Sequence, residues 1–83
     1  MIELLIMEDK IQGFIERITF VEPGTIKPET QLFEQGIFDS MGLLNLISFL
    51  EEEFGVTTSD DELNEENFAS VNSITRFVQQ KSN

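Results

Sequence analysis

Cysteine, histidine, tryptophan and tyrosine are all missing from the 83 residues of this chain, and each gap closes a line of explanation. Without cysteine there is neither a disulfide framework nor a thiolate metal site to brace so small a fold, so its stability must come from apolar packing. Without histidine as well, a Ser-His-Asp or Cys-His relay cannot be assembled within the chain. A domain of this length buries only roughly 60–65% of the surface of its unfolded chain, which makes a deep, walled active site an improbable use of the sequence. No apolar run approaches the roughly 20 residues that span a bilayer. The opening MIELLIMEDK has acids where a signal peptide would have a basic region, and it lacks a small-residue cleavage site. The expectation is a soluble, cytoplasmic, monomeric protein.

Basic residues are scarce in a particular place. The net charge is −11, and residues 28–75 contain eleven acids with no Lys or Arg, whereas the flanking segments balance five acids against Lys10, Arg17, Lys27, Arg76 and Lys81. Nucleic acid and anionic membrane would both be repelled by such a surface. A solvated face that aids solubility is one reading of the acidic run, and a docking surface for a basic protein partner is the other.

What is present reads as helix. Leu4, Ile11, Phe14, Ile15 and Ile18 share one face of a helix expected over about residues 3–19. Pro23-Gly24 and Pro28 forbid regular helix after it, giving a long connection over about 20–38, with Leu32, Phe33, Ile37 and Phe38 as apolar anchors that can pin it to the helices. Leu43, Leu46, Ile47, Leu50 and Phe54 repeat at three and four residues, predicting a second helix from Ser40 to Phe54 with Gly55 as its stop. Thr57 to Asp60 read as loop. Asn64 can cap a short helix over Glu65 to Phe68, and Ser70 can cap a last helix containing Val71, Ile74, Phe77 and Val78. Strand signals are weak and no composition shift divides the chain. An all-α bundle of three main helices and one short helix, in a single domain over residues 1–83, is expected.

Searches for chemistry mostly fail for lack of parts. Phe38-Asp39-Ser40-Met41-Gly42 has Gly after the serine but Phe before it, so it is no nucleophile elbow, and the five glycines are too scattered to cradle phosphate. Asp60, Asp61, Glu62, Glu65 and Glu66 lack the spacing and central Gly of an EF-hand, and a metal-assisted hydrolase using Asp60, Asp61 and Glu62 would have no enclosed site; no metal site is expected. There remains Gly36-Ile37-Phe38-Asp39-Ser40-Met41-Gly42-Leu43-Leu44, a serine where a pinned loop meets a strong amphipathic helix. Taken locally, Asp39 and Ser40 suit a helix cap. The same place also suits a modification, because a phosphodiester on Ser40 would meet the free N–H groups and positive end of the helix.

On these residues the chain resembles the acyl and peptidyl carrier proteins, whose attachment motif is Asp-Ser followed by Leu or Met, with a Gly a few residues upstream. Gly36, Asp39, Ser40 and Met41 match it, and the likeness continues through Leu43 to Val56 with an apolar seam, a run of acids and a closing Phe. Asp-Ser-Met-Gly and Phe54-Gly55-Val56 look like D-alanyl carrier proteins, and residues 61–71 look like stand-alone carriers served by adenylate-forming ligases. Gly42 and Asn45 stand where carriers of fatty acid synthesis commonly show acids, which points away from that pathway.

The resemblance implies a four-helix carrier bundle that is not an enzyme. Ser40 would hold a 4′-phosphopantetheine arm taken from coenzyme A by a phosphopantetheinyl transferase, and the arm's thiol would carry an acyl or aminoacyl group as a thioester, which makes the missing cysteine no obstacle. Asp39 and Met41 would flank the attachment point. Met41 and Leu44 would offer an apolar contact and Glu51 and Glu52 acidic docking groups to the transferase and to an adenylate-forming ligase, acyltransferase or synthase. Ordinary core packing is the competing reading for Met41 and Leu44. An acidic interaction module with Ser40 unmodified is the competing reading for the chain.

Overall fold

A computed structural model describes residues 2–22 and 24–82, except for the side chains of residues 2–4 and 82. Four helices follow one another: α1, Ile2–Thr19; α2, Ser40–Phe54; α3, Glu65–Phe68; and α4, Val71–Ser82. No strand occurs among the described residues. The Leu4 side chain and Pro23, both used in the sequence reading, lie outside the described residues.

The helices form where short polar side chains satisfy their first turns. Asp39 Oδ1 accepts the Gly42 N–H (2.8 Å), Asn64 Oδ1 accepts the Asn67 N–H (2.9 Å), and Ser70 Oγ accepts the Ser73 N–H (3.1 Å). At the far end of α2 the chain turns on Gly55, whose φ of 68° is left-handed and whose N–H returns to the carbonyls of Glu51 and Leu50. α1 ends less comfortably, because the left-handed position after Thr19 falls to Phe20, at φ 59° and 92% exposed.

Burial follows the helical spacing. Ile11 and Ile15 of α1, Leu46 and Leu50 of α2, Phe68 of α3, and Val71, Ile74, Phe77 and Val78 of α4 form one core. α4 packs against all three other helices, and α1 also packs against α2. Along α2 the seam is narrower than its sequence spacing implies: Leu43, Ile47 and Phe54 are only half-buried at its edge. Each fully buried Leu contributes roughly 1.5–3 kcal/mol relative to an exposed one, so Leu46 and Leu50 anchor the helix.

The long connection is tied down by its backbone. Leu32 donates its N–H to the Ala69 carbonyl (2.8 Å) and accepts at its own carbonyl from Ile37 (2.9 Å) and Phe38 (3.1 Å). Pro28 O accepts from the Asn72 N–H (3.0 Å), and Gln12 Nε2 donates to Ile26 O (2.7 Å). Leu32 and Phe38 are buried as expected, Phe33 and Ile37 are half-buried, and Ile26 joins the core without having been anticipated.

One stretch departs from expectation. Asp60, expected in the loop, opens a 3-10 turn over Asp60–Glu62. The cause is Glu62 Oε1, which accepts from the Ser59 N–H (2.9 Å), the Ser59 hydroxyl (3.0 Å) and Lys81 Nζ (2.9 Å). The Ser59 N–H first, and then the Lys81 ammonium, hold the Glu62 carboxyl below its ordinary pKa.

Candidate functional site

The junction between the connection and α2 is built from three successive residues that face different ways. Phe38 points into the core, 5% exposed, with its ring edge-on to Phe33 at 5.8 Å. Asp39 has extended backbone and turns its carboxylate over the first turn of α2. Ser40 opens the helix and is exposed. The cap is therefore supplied by Asp39, and the Ser40 hydroxyl is left outside it. The cap, which on local chemistry either residue could supply, thus falls to Asp39 and leaves Ser40 without a capping role.

The residues of α2 that follow settle which side chains accompany Ser40. Met41 is 66% exposed and Leu44 56% exposed, so neither serves the core. Exposed apolar side chains of that size beside a free serine make a small non-polar patch on an otherwise acidic helix. At 100° per residue, Met41, Leu44, Asn45, Ser48, Glu51 and Glu52 fall on one face of α2, about half a turn from Leu46 and Leu50. All six are exposed.

The acids of the last turn are not equivalent. Glu53 is paired with Lys10 of α1 in an exposed salt bridge, which takes it out of the free acidic surface. Glu51 and Glu52 form no salt bridge among the described residues. Three carboxylates at the negative end of the helix dipole, with no base in the last turn of α2, oppose the stability of α2 rather than support it. Beside this face, the seam between α1 and α2 is floored by Phe14 and Phe49, stacked at 4.2 Å, and bordered by Arg17, Asn45, Ser48 and Glu52. Sequence spacing on α2 could have shown Asn45 and Ser48 beside Glu52, but nothing local shows Arg17 opposite them.

A 4′-phosphopantetheine group suits this arrangement. It needs an accessible hydroxyl, and its phosphodiester would lie at a helix N-terminus where backbone N–H groups and the dipole favour an anion, partly offset by the nearby Asp39 carboxylate. No group of His, Cys, Asp and Glu residues among those described could hold a metal ion.

Comparison with known proteins defines the class. The model of the phosphopantetheine attachment site matches residues 9–78, which spans the fold from α1 into α4 and includes the Ser40 junction. The chain belongs to this family of phosphopantetheine-binding carrier proteins, which are non-catalytic carriers of a covalent 4′-phosphopantetheine. It is similar to the D-alanyl carrier protein of Lactococcus lactis subsp. cremoris, 33% identical over 76 residues that cover 92% of this chain and 96% of that protein. It is also similar to the acyl carrier protein of Chlamydia trachomatis serovar D, 29% identical over 77 residues covering 93% and 97%. The probable acyl carrier protein PigG of Serratia is 36% identical over 58 residues, covering 70% and 67%.

Proposed function

We propose that the whole chain acts as one monomeric carrier domain whose Ser40 bears the arm. The observation that carries this reading is the exposed Ser40 at the start of α2, with the cap already supplied by Asp39. The serine oxygen would form a bond to the pantetheine-bearing phosphorus as the phosphoanhydride bond of coenzyme A breaks, with adenosine 3′,5′-bisphosphate as the leaving group. The serine proton would pass to a base of the transferase. The arm supplies a terminal thiol on which cargo is held. Asp39 and Met41 frame the attachment point, Met41 and Leu44 provide a non-polar contact, and Glu51 and Glu52 meet a basic patch on the partner. The cost that those glutamates impose on α2 favours a docking role over a structural one.

For cargo, the reading is an aminoacyl group loaded by an adenylate-forming ligase in the cytoplasm. D-alanyl carrier proteins among its relatives, together with Gly42 in the attachment motif, support it over malonyl transfer. Intact-mass spectrometry after incubation with coenzyme A and a broad-specificity transferase should show addition of one phosphopantetheine, abolished by Ser40→Ala. An unchanged mass, with the transferase active on another carrier, would leave an unmodified acidic interaction module as the better description. Competitive loading of the arm-bearing protein with amino acids, fatty acids and malonyl groups tests the cargo, and malonylation with no ligase-dependent aminoacylation would overturn that part.

A further inference from the structure

We infer that Gly42 is a positioning residue for Ser40, required because the Phe38 ring occupies the space over the first turn of α2 that a side chain at residue 42 would need. The inference rests on the reading of Ser40 as the attachment residue. A Cβ built on Gly42 would lie 3.1 Å from Phe38 Cδ1, 3.3 Å from Cε1 and 3.4 Å from Asp39 Oδ1. The first two distances are shorter than ordinary carbon–carbon contact, so something must give.

Phe38 has little room to do so. It is 5% exposed, its N–H is bonded to Leu32 O, and its ring meets Phe33 edge-on. On the other side, the third contact is the capping oxygen that holds the Gly42 N–H. A methyl group at residue 42 therefore presses on the Phe38 ring, the core anchor before Asp39, while it meets the capping oxygen at ordinary contact distance; a shift of Phe38 passes through Asp39 to Ser40, the first residue of α2. The displacement falls on the backbone that aims the hydroxyl.

Helix propensity acts in the opposite direction, because alanine is the better helix former. Gly13, in the middle of α1, shows what propensity does alone: a Cβ there would meet nothing within 4 Å. The two glycines thus separate a backbone cost from a steric requirement. Phe38 and Gly42 are coupled, because a side chain at residue 42 requires the ring to give way by a few tenths of an ångström.

The test uses the full chain, coenzyme A and a phosphopantetheinyl transferase, with kcat and KM measured separately by mass spectrometry at a temperature where every variant is folded by circular dichroism. A shift of a few tenths of an ångström in a reacting atom should lower kcat for Gly42→Ala by roughly threefold to tenfold while KM stays near wild type, since the docking face is untouched. Amide exchange at residue 42 should accelerate as the cap loosens. Phe38→Val combined with Gly42→Ala should restore both kcat and exchange, because valine has no δ or ε carbon to collide. Gly13→Ala should leave modification unchanged. Wild-type kcat and exchange in folded Gly42→Ala, or a double variant no better than Gly42→Ala, would overturn the inference. If wild type itself were not modified, or Ser40→Ala were modified equally, the Ser40 reading would fall instead.

Discussion

Replacing Glu51 and Glu52 together by lysine should move stability and docking in opposite directions. In the folded chain both carboxylates are exposed, stand in the last turn of α2 and form no salt bridge among the described residues. A cation near a helix C-terminus is favoured by about 0.3–1 kcal/mol where an anion is disfavoured, so the reversal should stabilise α2 by about 0.5–1 kcal/mol after solvent screening. Arg17 borders the same groove as Glu52, which reduces the gain at that position. For a domain of this size about 1 kcal/mol shifts Tm by 4–8 °C, so melting should stay level or rise by a few degrees. Docking should suffer. An exposed ion pair is worth about 0–1 kcal/mol, and reversal replaces attraction with repulsion, so two positions should weaken association by about 1–2 kcal/mol, or roughly 5–30-fold in KM for the transferase. At 1 M salt, where the screening length is about 3 Å, the difference should shrink to a few-fold. Transferase kinetics at low and high salt, with thermal melts followed by circular dichroism, measure both quantities. Unchanged KM at low salt would refute the docking role, and a fall in Tm of several degrees would refute the claim that these acids oppose folding.

Asp39→Ala should destabilise the fold by about 1 kcal/mol through loss of the bond to the Gly42 N–H, whereas Asp39→Asn, which caps as well, should melt near wild type. Slower modification of Asp39→Asn at unchanged Tm would show that the transferase reads the charge as well as the cap. Phe20→Gly should raise stability by roughly 0.5–1 kcal/mol in denaturant titration, since Phe20 is left-handed and buries almost nothing. Glu62 has a folded-state pKa below the ordinary value of 4.5, so its stabilising effect is fully present above that value and is lost as pH falls through the lowered one. Wild type should therefore exceed Glu62→Gln in Tm at pH 7, and the gap should close in acid. A gap independent of pH would mean that the Ser59 and Lys81 bonds do not depend on the charge.

Most helices could be read directly from the chain because their determinants are local. Asn64 and Ser70 cap the helices they precede, Gly55 stops α2, and the spacing of Ile11, Ile15, Leu46, Leu50, Ile74 and Val78 marks the faces that meet. Asp39-Ser40-Met41 marked the junction and its resemblance to carriers, but left open whether Ser40 was itself the cap and whether Met41 and Leu44 packed inward. Only the folded chain decided these points. The carboxylate of Asp39 takes the cap because its backbone is extended, while Met41 and Leu44 lie on the side of α2 turned away from the core. Glu53 leaves the acidic surface through Lys10, 43 residues away, and Lys81 reaches Glu62 across 19 residues. The Phe38 ring over Gly42 likewise depends on where the connection is pinned by Leu32. Caps and periodicities are set by neighbours within one or two turns, whereas ion pairs between elements and the space above a glycine exist only once distant segments have packed.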